Sequence, residues 1–170
     1  MTIHSEDPFA TPDALRSPVR RLRGRMASTV TLWTAGEGRG RAGLTVSSAV
    51  VADGDPGHVL GLVDDESEFW SAAEDTGRFV LTLLGPGDRQ LADRFAGLMP
   101  APGGLFRDDW WVQSEHGPVP GADRTSAGCS VGEARPFGWG LLVAATIDEV
   151  RLGTAADPLL HHRGRYRELR

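Results

Sequence analysis

The sequence predicts a mainly β fold, an antiparallel barrel with a few helices packed on its outside. About six or seven strand-like runs stand against two or three helical ones. The strand-like runs follow one another through short Gly- and Pro-rich turns, without the regular strand–helix alternation that builds a parallel sheet. The 170 residues, 40% of them hydrophobic, suit one domain with its own core.

Residues 1–12 mix Ser, Glu, Asp and Pro with few apolar anchors and are expected to fray, leaving 13–170 as the folded domain. Asp13 is one candidate helix cap, with Leu15, Val19, Leu22 and Met26 following at helical spacing. Pro18 suits a later start, with Ser17 as cap and Pro18 at the first helical position. Arg16, Arg20, Arg21, Arg23 and Arg25 cover the other faces, either as a solvated basic surface or as a phosphate contact to a partner subunit or cofactor.

Residues 28–34 read as a strand, with Val30 and Leu32 opposed to Thr29, Thr31 and Trp33. A turn over 36–43 returns the chain as a second strand over 43–50, with Leu44, Val46 and Ser48 on one side and Thr45, Ser47 and Ala49 on the other. Small hydroxyls beside a glycine make either a polar sheet edge or a floor for a flat polar ligand. A turn at 53–57 leads to a short strand over 58–63, and 69–76 reads as a helix capped by Ser67 and ended by Gly77. Residues 79–84 form a buried strand. Residues 88–96 form a second helix, with Leu91, Phe95 and Leu98 spaced for burial. A loop over 99–104 precedes an aromatic cluster of Phe106, Trp110 and Trp111. Two long strands, 124–134 and 141–152, flank a turn at Pro136-Phe137-Gly138, and 158–169 close the chain.

The formal charge of −5 argues against broad binding to nucleic acid or anionic membrane, which draws on clustered positive charge. All eighteen basic residues are Arg, a coding bias that lowers the weight of any one arginine. Cys129 is alone, so no intrachain disulfide forms. No apolar run approaches the roughly 18 residues of a membrane span, and the N-terminus lacks the basic and apolar regions of a secretory signal. The expectation is a soluble, cytoplasmic protein.

Gly38-Arg39-Gly40-Arg41-Ala42-Gly43 matches the dinucleotide-binding glycine pattern, with Asp64 about 20 residues beyond. That pattern needs a helix after the glycines to receive pyrophosphate, whereas residues 44–51 read as strand, so it is set aside. His4, His58, His116, His161 and His162 are scattered, and the last two point to opposite faces of a strand, so no metal site is expected. No Gly-x-Ser-x-Gly is present, and Cys129 lies inside a strand, where a lone Cys is usually a small core residue. Ser67 stands at a helix N-terminus, a place for an anion, directly after Asp64, Asp65 and Glu66, which themselves suit a helix start.

Five stretches in fixed order carry a resemblance over most of the chain. They are Gly43-Leu44-Thr45-Val46-Ser47-Ser48, Thr76-Gly77-Arg78-Phe79-Val80, Leu91-Ala92-Asp93-Arg94-Phe95-Ala96-Gly97, Gly117-Pro118-Val119, and Pro158-Leu159-Leu160-His161-His162-Arg163-Gly164-Arg165-Tyr166. In these the chain resembles the flavin reductase-like family, whose fold is the FMN-binding split barrel. The resemblance implies a homodimer of six-stranded antiparallel split β-barrels with flanking helices and a flavin near the subunit interface. It assigns Arg41, Ala42, Gly43, Leu44, Thr45, Ser47 and Ser48 to the flavin ring and ribityl chain. It assigns Asp64, Asp65, Glu66 and Ser67 to the phosphate turn, Phe95 and Ala96 to a backbone contact, and His161, His162, Arg163 and Gly164 to the nicotinamide nucleotide.

The activity so implied is NAD(P)H-dependent reduction of FMN or FAD, with NADH or NADPH as co-substrate, and the reductase component of a two-component monooxygenase is one setting for it. Hydride transfer from nicotinamide C4 to flavin N5 needs no side-chain acid or base, and none is assigned. Two departures stand out. The phosphate turn reads Asp64-Asp65-Glu66-Ser67-Glu68, where members commonly place Ser, Thr, Lys or Arg. Phe137-Gly138-Trp139 stands where many carry Gly-Asp-His, so Trp139 either stacks on a ring or is a core aromatic. These departures keep open an alternative, a flavin- or tetrapyrrole-binding split-barrel protein without reductase activity. A more remote one uses a deazaflavin or oxidises a pyridoxine-type substrate.

Overall fold

The computed structural model of the chain describes residues 17–121, 123–154 and 157–169; Asp13, Leu15, Arg16 and the 1–12 segment lie outside them. The first half runs α1 (Pro18–Arg25), β1 (Ser28–Thr29), β2 (Thr31–Ala35), β3 (Ala42–Val46), β4 (Val50–Ala52), β5 (His58–Val63), α2 (Glu68–Thr76) and β6 (Arg78–Leu83). The second half runs α3 (Arg89–Phe95), β7 (Trp111–Ser114), β8 (Gly117–Pro120), β9 (Ser126–Phe137), β10 (Gly140–Arg151), β11 (Leu160–His162) and β12 (Arg165–Arg167). The mainly β, antiparallel expectation holds. The strand count differs: the main sheet has seven strands, not six, in the order β3-β2-β6-β9-β10-β5-β4. β1, β11 and β12 form a second sheet, and β7 and β8 a separate hairpin. Among the described residues no helix is long and apolar enough to cross a membrane.

β2 is the spine. Its alternation is the expected one, but both of its faces are covered, so every residue from Thr31 to Ala35 is buried. Trp33 faces one core, stacked on Phe79 at 4.6 Å and edge-on to Phe69 at 6.0 Å. Val30 and Leu32 face another, with Leu84, Leu91, Phe95 and Leu159. The hydroxyl groups on this buried strand are bonded: Thr31 donates to Val46 O, and Thr34 to Pro118 O. An unpaired buried hydroxyl would cost about 1–3 kcal/mol, so these bonds make the threonines tolerable.

The caps read from sequence are present. Ser17 Oγ accepts from Arg20 N with Pro18 at the first helical position, and Ser67 Oγ accepts from Trp70 N. Gly77 ends α2 in the left-handed region at φ 72°, a conformation open to glycine at little cost.

Several expectations are corrected. The strand predicted over 43–50 stops at Val46, and Ser47 to Ala49 form a bend before β4, which pairs with β5 instead. Ser48 causes the break, since its hydroxyl donates to Leu62 O and accepts from Leu62 N, standing in for a strand partner. Val19, Leu22 and Met26 are 75%, 63% and 62% exposed, so the apolar stripe of α1 covers no core among the described residues. Leu98 is exposed as well, because the chain turns out of α3 at Ala96. The β7–β8 hairpin was not foreseen. The β9–β10 turn falls at Gly138-Trp139, one step later than expected, and Trp139 is 79% exposed, which removes the core-aromatic reading.

Candidate functional site

β3 ends the hydrogen-bonded order of the main sheet, so among the described residues one of its backbone edges has no strand partner. It is held at its back by α3. Thr45 donates to Ala92 O at 2.7 Å, and Gly43 lies so close to Phe95 that a Cβ there would stand 2.7 Å from two ring carbons. Phe95 in turn packs edge-on against Phe106 and Trp111. Arg41 is fixed by an Nε–H bond to Gly38 O and by its guanidinium 5.0 Å from the Phe106 ring centroid.

The structure brings most of the sequence-predicted residues together. Arg41 to Val46 lie on or beside β3, α2 and α3 both pack against that strand, and Ser48 reaches back to Leu62, two residues before Asp64. Their roles divide. The hydroxyls of Thr45 and Ser48 are spent on Ala92 and Leu62, whereas Ser47 is exposed and its hydroxyl bonds to no other group among the described residues. Ala96 N–H bonds to Ala92 O, so only the carbonyl side of that position is open to a ligand. His161 to Gly164 sit apart, in the sheet with β1, tied to α1 by an Arg163 N–H to Gly24 O bond. They connect to the floor through α3: Leu159 shares a core with Phe95, and Arg89 pairs with Glu168 at 2.6 Å. Burial, then the charges of Arg23 and His162, lower the pKa of His161.

An open cleft of about 730 Å³ adjoins the floor. Arg39, Gly40, Arg41 and Ala42 line one wall, and Glu68, Ser71, Ala72, Glu74 and Asp75 of α2 the other. The α2 wall was missed from sequence, although Glu68, Ser71, Ala72 and Asp75 fall at the i, i+3, i+4, i+7 spacing of one helix face.

A second hollow of about 410 Å³ was also unforeseen. There His116 Nε2 lies 2.8 Å from Asp148 Oδ2, and Ser130 Oγ donates to the same oxygen at 2.5 Å. Burial opposes the Asp148 charge, but the bonds from Ser130 and His116 outweigh it and hold its pKa below the usual value. This is not a nucleophilic triad, because the serine hydroxyl is bonded to the carboxylate and not to the imidazole. Cys129 is buried and its thiol pKa is pushed up to about 12, first by burial and then by Asp148, so it is an inert core residue as expected. Among the described residues no group of three His, Cys, Asp or Glu is placed to hold a metal.

These features define a mainly β protein in which an edge strand, β3, is packed against two helices beside an open cleft. Residues 23–170 match the model of the flavin reductase like domain, and the chain belongs to that family. It is similar to the reductase component of 4-hydroxyphenylacetate 3-monooxygenase from Thermus thermophilus, at 26% identity over 91% of this chain and 97% of that protein. It is also similar to the NADH-dependent FMN reductase AsuE2 of Streptomyces nodosus subsp. asukaensis, at 29% identity over 98% of this chain and 91% of that one. In fold it matches a flavin reductase domain protein from Arthrobacter sp. FB24 with a TM-score of 0.79, at 22% identity, over 89% of this chain and 93% of that one.

Proposed function

We propose that this chain is an NAD(P)H-dependent flavin reductase that acts on FMN, FAD or riboflavin and works beside a separate flavin-dependent monooxygenase. The observation that carries the reading is the unpartnered edge of β3, braced by α3 and adjoining a cleft, in a member of this family. Bound flavin and nicotinamide would supply the redox chemistry, hydride transfer from nicotinamide C4 to flavin N5. The protein's share is binding, orientation and exclusion of side reactions. The free backbone edge from Ala42 to Val46 suits the polar rim of an isoalloxazine, and the exposed Ser47 hydroxyl suits the ribityl chain. Thr45, Ser48 and Phe95 act one layer behind, keeping that edge rigid. Arg163 and Gly164, exposed in the β11–β12 turn, and His161 and His162 beside them are proposed for the nicotinamide nucleotide.

A homodimer of split barrels is proposed as the assembly. The outward face of β5 carries Leu60 and Leu62, each 41% exposed, with Val50 directly across from Leu60 and Leu142 across from Leu62. Phe137 and Trp139, 50% and 79% exposed, project at the tip of the β9–β10 hairpin. Apolar surface of this extent suits a partner copy. The test of function is oxidation of NADH or NADPH with FMN, FAD or riboflavin added. Turnover is expected with at least one pair, and none with any pair would end the reading.

A further inference from the structure

We infer that His116 and Asp148 are positioning residues for the flavin floor, fixing the β7–β8 hairpin against the turn and the ring on which β3 is built; this rests on the flavin reading above. His116 stands in the turn between β7 and β8, yet its side chain is only 8% exposed. The ring is received by Gly128 of β9, where a Cβ would stand 2.5 Å from Nδ1 and 2.7 Å from Cγ. Its Nε2 lies 2.8 Å from Asp148 Oδ2 on β10, and its Nδ1 lies 3.5 Å from Glu149 Oε1. Asp148 also accepts from Ser130 Oγ, and its lowered pKa keeps it ionised, so the imidazole Nε2–H is the donor. A turn histidine seated over glycine and paired with a carboxylate is a built contact, since a buried polar group left unpaired costs about 1–3 kcal/mol.

Side chains decide where this hairpin sits. Among the described residues β7 and β8 pair only with each other, and Thr34 anchors the β8 side through Pro118 O. Two contacts on the β7 side reach the floor. Gln113 Nε2–H donates to Gly36 O at 3.0 Å, at the head of the turn that carries Arg39 and Arg41 to the cleft. Trp111 packs edge-on to Phe95 at 5.7 Å, and Phe95 is the ring that leaves no room for a Cβ at Gly43. His116 itself does not line the cleft, so its effect on a flavin passes through these contacts. Close-packed groups transmit a displacement, and a misplacement of about 1 Å far from the chemistry can cost about 100-fold in rate.

Titration of the full chain with FMN, read by quenching of flavin fluorescence and by the visible circular dichroism of the bound ring, tests this without turnover. His116→Ala should raise the Kd about five- to tenfold and alter the dichroism, whereas His116→Gln, which returns a donor to Asp148, should stay within about twofold of the parent. Gln113→Ala, at an exposed position, spares the buried ring and should raise the Kd about threefold. In the double variant of His116→Ala with Gln113→Ala the rise should fall short of the product of the two, because one hairpin carries both effects. If His116→Ala does not fold, Asp148→Asn takes its place with the same expected rise. A His116→Ala or Asp148→Asn protein that loses stability in urea but keeps the parent Kd and dichroism would overturn the inference and leave the pair a staple. So would effects that multiply fully in the double variant; in either case the flavin reading stands. A parent chain that binds no FMN would overturn both.

Discussion

Gly43→Ala is the substitution most sensitive to how the floor is built. The added Cβ would lie 2.7 Å from two carbons of the Phe95 ring and 3.2 Å from Thr34 Cγ2. Phe95 is 4% exposed and is wedged against Phe106 and Trp111, so its ring has little room to yield. Overpacking of this kind costs about 1–3 kcal/mol, offset by about 0.5–1 kcal/mol because alanine is the better strand residue. At mid-range the net expectation is a loss of about 1 kcal/mol, which at roughly 2–4 °C per kcal/mol lowers Tm by about 2–4 °C. Urea denaturation of the single variants and of Gly43→Ala/Phe95→Ala separates the clash from other effects. Phe95→Ala alone should cost about 3–5 kcal/mol, and the double variant should fall short of the sum by about 1 kcal/mol, since removing the ring removes the collision. Strict additivity, or a Gly43→Ala protein as stable as the parent, would refute the close packing of β3 on α3.

Three further outcomes follow from the same geometry. Thr45→Val removes the bond to Ala92 O and should cost about 0.5–1.5 kcal/mol in urea unfolding, with weakened flavin binding because the floor loses its brace. Cys129, its thiol raised to about 12, should resist a disulfide reagent at about pH 8 in the folded protein and react fully once unfolded. The lowered pKa of His161 means that folding favours its neutral form, so the unfolded chain binds more protons below the ordinary histidine value of about 6.5. Stability from this group is therefore present above about pH 6.5 and is lost as pH falls through the window beneath it. Urea midpoints for the parent and for His161→Gln, compared at about pH 7.5 and 5.5, should show the parent losing more than the variant.

What the sequence disclosed was chiefly what local chemistry decides. The Ser67 and Ser17 caps, the Gly77 stop and the opposed faces of β2 each depend on neighbours within a few residues, and each is present. The end of β3 was hidden because Thr45-Val46-Ser47-Ser48-Ala49-Val50 has uninterrupted strand character, and the break depends on Leu62, fourteen residues from Ser48. The β7–β8 hairpin was masked by Pro118 and Pro120, tolerated there because only two strands pair and each has a free side. The α1 stripe is legible as amphipathic spacing, but spacing cannot say whether another surface arrives to cover it. Around the candidate site, the β3 strand and the acidic turn that caps α2 were readable as local structure. The α2 wall of the cleft and the His116–Asp148 pair, 32 residues apart, needed the fold to bring them together.

Hydride delivery to bound flavin is the step that separates a reductase from a flavin carrier of the same fold. The direct measurement mixes the protein loaded with riboflavin or FMN with excess NADH or NADPH in the absence of oxygen and follows the flavin absorbance. Rapid bleaching by at least one nicotinamide nucleotide is the expected result. A protein that binds the flavin and stays yellow with both nucleotides would contradict the reductase assignment and leave a binding protein in its place.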